Sequence, residues 1–89
     1  MDFGEALRIL KCNRRVARAG WNGKGMWLVF VRGSRITVTE GRPLAALFPI
    51  GASVEYHAHI DMKAADGSVF TWTPNQLDMM AEDWTEVVS

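Results

Sequence analysis

Two stretches of the chain carry side chains whose types and spacing could recognise a ligand. In ARAGWNGKGMW (residues 17–27), Arg18, Trp21, Asn22 and Lys24 sit on or beside a loop with three glycines in six residues. Such a loop leaves backbone N–H groups free for phosphate, and the Trp21 indole offers a face on which a base can stack. In TWTPNQLDM (71–79), a helix start follows Trp72 directly and carries Asn75 and Asp78 in its first turns. Its unpaired N–H groups suit a phosphate and its carboxylate suits a ribose hydroxyl. The plainer account has Thr73 and Gln76 capping that helix and Trp72 packing in the core.

The sharpest catalytic pattern is His57, His59 and Asp61, which alternate along a strand and so share one face within reach of a single metal ion. A metal-dependent, nucleotide-degrading enzyme would need more: a fourth ligand and outer partners for the histidines are not evident. Alternating polar residues are also what any solvent-facing strand shows. No Ser-His-Asp or Cys-His arrangement stands out. Cys12 is the one cysteine, so neither an internal disulfide nor a zinc knuckle can form. The expectation is no catalytic residue, no metal and no cofactor.

Composition sets the frame for these residues. With 89 residues, the chain suits one ligand-binding domain spanning 1–89. A content of 48% hydrophobic and 22% charged residues fits a packed globular domain rather than a disordered one. No apolar run reaches the roughly 18 residues of a spanning helix, and MDFGEAL lacks the regions of a signal peptide, so a cytoplasmic protein away from membranes is expected. Zero formal charge argues against DNA or RNA polymers, whose phosphates demand an excess of Lys and Arg, but leaves room for a discrete anion. Four Trp and five Met exceed what so small a core requires, which places some of them at a pocket or a subunit contact.

The elements that must position these residues read as α+β. Asp2 and Glu5 have capping-box spacing ahead of Phe3, Ala6, Leu7 and Leu10, predicting a helix that ends near Asn13. Val16–Arg18 reads as a short strand. Met26–Val31 reads as another, with the turn Arg32-Gly33-Ser34 leading to Ile36–Thr39 as its hairpin partner. The connection from Glu40 to Ser53 is expected to fold back over the sheet with a helical turn. Tyr56, Ala58, Ile60 and Met62 alternate with polar residues as one strand, and Asp66-Gly67 turns the chain into Ser68–Trp72. A second helix begins at Thr73, with Pro74 at its first position, and Trp84–Val88 returns as the last strand. The sum is an antiparallel sheet of about five strands with two short helices.

The ordered segments DFGEAL, VARAGWNGKGMW, AHIDMK, ADG, Trp-x-Pro-x-Gln at 72–76 and MAEDW resemble a family of short phage and bacterial proteins, the second type of Thoeris anti-defence proteins. The resemblance runs from Asp2 to Val88 and is weakest between Gly33 and Glu55. It implies a sponge that binds the glycocyclic ADP-ribose signal of the Thoeris system and withholds it from its effector in the cytoplasm of the bacterial host. It also implies a homotetramer with pockets between protomers, and, for some relatives, capture of CBASS cyclic dinucleotides at separate sites. By matching position, the implied ligand-binding residues are Phe3, Arg18, Trp21, Asn22, Trp72, Asn75 and Asp78. The chain departs from the family pattern at Ala64, Asn75 and Leu77, which bears on ligand preference more than on fold. A nucleotide-degrading enzyme built on His57, His59 and Asp61, and a purely structural oligomerisation module, stand as the alternatives.

Overall fold

The computed structural model describes residues 1–21 and 25–88. Helix α1 (Phe3–Lys11) starts where the sequence places it, with the Asp2 carboxylate accepting from the Glu5 N–H at 2.8 Å. It is capped at Cys12 and followed by Asn13, which takes a left-handed φ of 64°, a conformation Asn tolerates better than most residues. Its apolar stripe buries Ala6 and Leu10 against strands β1 (Arg15–Arg18), β2 (Trp27–Val31) and β7 (Trp84–Val87).

Strands β5 (His59–Lys63) and β6 (Val69–Thr71) complete a five-stranded sheet in the order β6-β5-β2-β1-β7, with every neighbouring pair antiparallel. The β5–β6 hairpin turns at Asp66-Gly67. There the Asp66 carboxylate accepts from the Ser68 N–H and hydroxyl, and Gly67 takes a φ of 92°. The core between helix and sheet comprises Ala6, Leu10, Val16, Leu28, Met62 and Trp84. Burying Leu10 and Leu28 completely contributes about 1.5–3 kcal/mol each. Ile60 and Met62 face this core, as the alternation in β5 requires.

The middle of the chain departs from the sequence expectation. Strand β3 (Ser34–Thr37) does not fold back on β2; it pairs with β4 (Ser53–Tyr56) as a separate two-stranded ribbon. The pairs Val31↔His59 and Ser34↔Tyr56 keep one register across the break, so β2 runs on into β3 and β4 into β5 as the two arms of one long, kinked hairpin. The stretch expected as a single strand from Tyr56 to Lys63 is thereby two strands, interrupted at His57 and Ala58. Gly33 explains the kink: a Cβ there would lie 2.8 Å from the Tyr56 carbonyl oxygen and 3.1 Å from the Ala58 nitrogen, so glycine serves close approach of the arms rather than reversal. The expected helical turn is present as a 3₁₀ turn, Pro43–Ala46, but it closes the far end of the ribbon.

The second helix, α2 (Gln76–Met80), starts later than expected. Its N-cap is Asn75, not Thr73, and the box is closed by Asp78, not Gln76. Pro74 biases Thr73 toward extended backbone, and Asn is a stronger cap than Thr, so the helix begins after the proline rather than on it.

Candidate functional site

The site grows around Trp84, which is completely buried at the start of β7. Its indole N–H donates to the Asp78 carbonyl at 3.0 Å, tying β7 to α2. Phe3, from the first turn of α1, lies 5.4 Å from the Trp84 ring. Trp21, at the end of the 3₁₀ turn Ala19–Trp21, meets it edge-on at 5.7 Å, and Trp72, just past β6, meets it edge-on at 6.0 Å. Phe3 and Trp72 also touch at 6.2 Å. Each tilted or edge-to-face pair adds roughly 0.5–1.5 kcal/mol beyond area burial, so the cluster is a rigid backing for whatever lies against it.

Beside it, Arg18 at the end of β1 is held by two carboxylates. Nη1 donates to Asp78 Oδ1 at 3.0 Å and Nε donates to Asp83 Oδ1 at 3.0 Å. The Arg18 side chain is 24% exposed and that of Asp78 13%. Hydrogen bonding to Asp83 keeps the Arg18 guanidinium more strongly basic than usual; partial loss of water opposes this, and Asp78 adds to it. In return, the hydrogen bond from Arg18 holds Asp83 below the usual carboxylate range, with the Gly20 N–H at 3.3 Å adding to the effect.

The other Asp78 oxygen accepts from the Asn75 N–H at 3.0 Å, while Asn75 Oδ1 accepts from the Asp78 N–H at 2.8 Å. Both Asp78 oxygens thus have protein partners, and a ribose hydroxyl would have to use a remaining lone pair. The same capping box takes up one of the N–H donors that the sequence offered to phosphate.

A groove of about 400 Å³ opens between β1, β7 and the start of β2, lined by Arg18, Trp21, Met26, Trp27, Thr85 and Val87 among others. It lies within the usual range of small-ligand pockets. Strands β1 and β2 make one register pair, Val16↔Leu28, and separate beyond it, which leaves the space. Trp27 forms the far wall with the Arg15 guanidinium carbon 5.2 Å and the Lys63 ammonium 5.9 Å from its ring. Lys63 also donates to the Gly25 carbonyl at 2.8 Å, anchoring the segment that leads into β2.

The structure therefore gathers Phe3, Arg18, Trp21, Trp72, Asn75 and Asp78 in one region, but not in one role. Arg18 and Trp21 line the groove, Phe3 and Trp72 pack behind it on Trp84, and Asn75 and Asp78 form the cap that steadies Arg18. Asn22 and Lys24 lie outside the described residues. Sequence reasoning missed Asp83, Trp84 and Trp27 as site residues. A readable signal existed for Trp27 in the cations flanking it on neighbouring strands; for Asp83, 65 residues from Arg18, there was none.

The histidine face does not assemble a metal site. His57 falls in the interruption between β4 and β5, its carbonyl lying 3.1 Å from His59 Nδ1, and His59 Nε2 lies 3.2 Å from Asp61 Oδ1. Among the described residues, no group of three His, Cys, Asp or Glu side chains could hold a metal ion. No helix among them is long and apolar enough to cross a membrane.

Residues 1–87 match the family model of the Thoeris anti-defense 2-like domain. The chain is 36% identical over 91 residues to a protein of Bacillus phage SP01 named Thoeris anti-defense 2, covering all of this chain and 96% of the phage protein.

Proposed function

The chain belongs to the Thoeris anti-defense 2-like family, whose role is phage anti-defence, and on that footing we propose that it acts as a non-catalytic sponge. It binds the glycocyclic ADP-ribose signal of the Thoeris system in the bacterial cytoplasm and keeps it from its effector. One observation carries this reading: a groove with Arg18 and Trp21 on one side and Trp27, flanked by Arg15 and Lys63, on the other. Two indoles offer stacking faces for a base, at about 1–3 kcal/mol per stacked base. The cations supply what the Arg18 cluster lacks. Asp78 and Asp83 together outweigh Arg18 by one negative charge, so phosphates are drawn toward the Trp27 wall rather than toward Arg18.

The same chemistry, bases stacked on indoles and phosphates on cations, extends to cyclic dinucleotides of the CBASS type as a wider ligand range. The groove is open to solvent along the sheet edge, and a second copy of the chain is what closes it, in a homotetramer with ligand held between subunits. Of the groove's own polar side chains, the Thr85 hydroxyl donates to the Ala17 carbonyl at 3.3 Å and Glu86 pairs with Arg14 at 3.6 Å, and in this reading the ligand leaves as it entered.

The test is to incubate the protein with glycocyclic ADP-ribose, remove free ligand, denature the complex by heat and identify what is released. Intact signal is expected. Altered product would instead establish an enzyme, and failure to retain any ligand would establish a structural module.

A further inference from the structure

The 3₁₀ turn Ala19–Trp21, which carries the Trp21 indole to the groove, is only three residues long, and the opening N–H groups of such a turn find no partner inside it. The residue ahead of a helix often supplies the acceptor, as Asp2 does for α1 and Asn75 for α2. Here the residue ahead is Arg18, whose guanidinium carries donors and no acceptor.

The acceptors come from Asp83, 63 residues beyond Gly20. The Ala19 N–H donates to the Asp83 carbonyl at 3.0 Å, and the Gly20 N–H donates to Asp83 Oδ2 at 3.3 Å. The other carboxylate oxygen accepts from Arg18 Nε at 3.0 Å. One residue thus holds three consecutive positions, and the next in line is Trp21. The residue after Asp83 is Trp84, whose buried ring meets Trp21 edge-on at 5.7 Å. The β1–β7 register ends at the pair Arg18↔Trp84, so the turn begins where the ladder's own pairing stops. Arg18, Ala19 and Trp21 line the groove, and Asp83 does not.

We infer that Asp83 is a positioning residue for the groove: from just ahead of β7 it caps the Ala19–Trp21 turn, and so fixes the Trp21 face and the Arg18 guanidinium where a ligand meets them. The inference rests on the reading that this groove binds the ligand. A wall ordered in advance raises affinity because the ligand does not have to order it on binding.

Asp83→Asn keeps the shape of the side chain but leaves one oxygen for two donors, Arg18 Nε–H and Gly20 N–H, and turns an amide N–H₂ toward the other. Calorimetry with glycocyclic ADP-ribose, well below the Tm of the variant, is expected to show roughly tenfold weaker binding, the equivalent of one lost charge-assisted hydrogen bond. In a Trp21→Ala background the same substitution is expected to weaken binding less than about threefold, because the face it positions is gone. Equal losses in both backgrounds, or a lowered Tm with unaltered affinity, would overturn the positioning role.

Fluorine NMR of ligand-free protein labelled with 5-fluorotryptophan gives a readout independent of binding. The Trp21 resonance is expected to shift in Asp83→Asn while that of Trp27, on the opposite wall, stays; an unmoved Trp21 resonance would overturn the proposal. Should Asp83→Asn not fold, amide hydrogen exchange of the wild type decides. The Ala19 and Gly20 amides are expected to exchange more slowly than in an unfolded chain, and unprotected amides would overturn the cap. A wild type that retains no glycocyclic ADP-ribose, with a Trp21 resonance that still responds to Asp83→Asn, would sink the sponge reading and leave the cap standing.

Discussion

Truncating Trp21 to alanine separates two consequences that the structure assigns to one side chain. Trp21 lines the groove, and its ring also meets Trp84 edge-on at 5.7 Å. Removing a fully buried Phe or Trp costs about 3–5 kcal/mol. Trp21 is only partly buried, so about half of that, roughly 2 kcal/mol, is expected, lowering Tm by roughly 8–16 °C for a domain of this size. Loss of a stacked base removes about 1–3 kcal/mol of binding, a roughly 5- to 150-fold weaker Kd. The first quantity is read by thermal unfolding without ligand. The second is read by calorimetry with glycocyclic ADP-ribose, well below the lowered Tm. Trp21→Phe keeps an aromatic face and is expected to recover most of both. A Trp21→Ala protein that is folded, less stable and unaltered in affinity would refute the placement of ligand in this groove, because only the packing role would then be real.

Three further outcomes are expected. Asp83 has a depressed folded-state pKa, so its contribution to stability is present above the ordinary carboxylate value of about 4 and is lost as pH falls through the lower folded-state value; Asp83→Asn should flatten that acid limb of the Tm-against-pH curve. Asn75→Ala removes a helix cap and should cost about 1 kcal/mol in chemical denaturation, whereas Asp78→Asn weakens both cap and Arg18 contact and should reduce stability and ligand affinity together. His59→Ala, away from the groove, should bind ligand normally, as should the wild type in chelator; calorimetry showing a loss in either case would return attention to the His59–Asp61 pair.

Local chemistry was readable from the chain, and long-range pairing was not. Asp2 capping Glu5, the Asp66-Gly67 turn and the Ile60/Met62 alternation depend on neighbours within a few residues, and each appears in the structure as expected. Arg32-Gly33-Ser34 has the composition of a turn, but whether a glycine reverses a strand or lets two arms approach depends on a partner more than twenty residues away. The helix start at Thr73 failed for a related reason: two overlapping capping boxes, Thr73–Gln76 and Asn75–Asp78, fit the same segment. The second prevails because Asp78 also receives Arg18 and its carbonyl receives Trp84. Residues picked for the ligand landed together, yet several serve the frame, since a Trp or Asp that packs and one that binds look alike in one dimension.

The unbroken register through the Gly33 kink sets rules for how this protein can change length. Because β2–β3 and β4–β5 keep one register across the break, the β3–β4 ribbon can lengthen or shorten only by matched changes on both strands, and only steps of two residues keep each side chain on its face. A single insertion within Ser34–Thr37 would turn Ile36 and the residues beyond it onto the opposite side, whereas the segment between Val38 and Ala52, closed by backbone bonds at Val38, could take up odd-numbered changes without disturbing the ladder. Ribbon length is therefore a variable that the five-stranded sheet does not sense, free to drift while the groove at the other end of the molecule stays fixed.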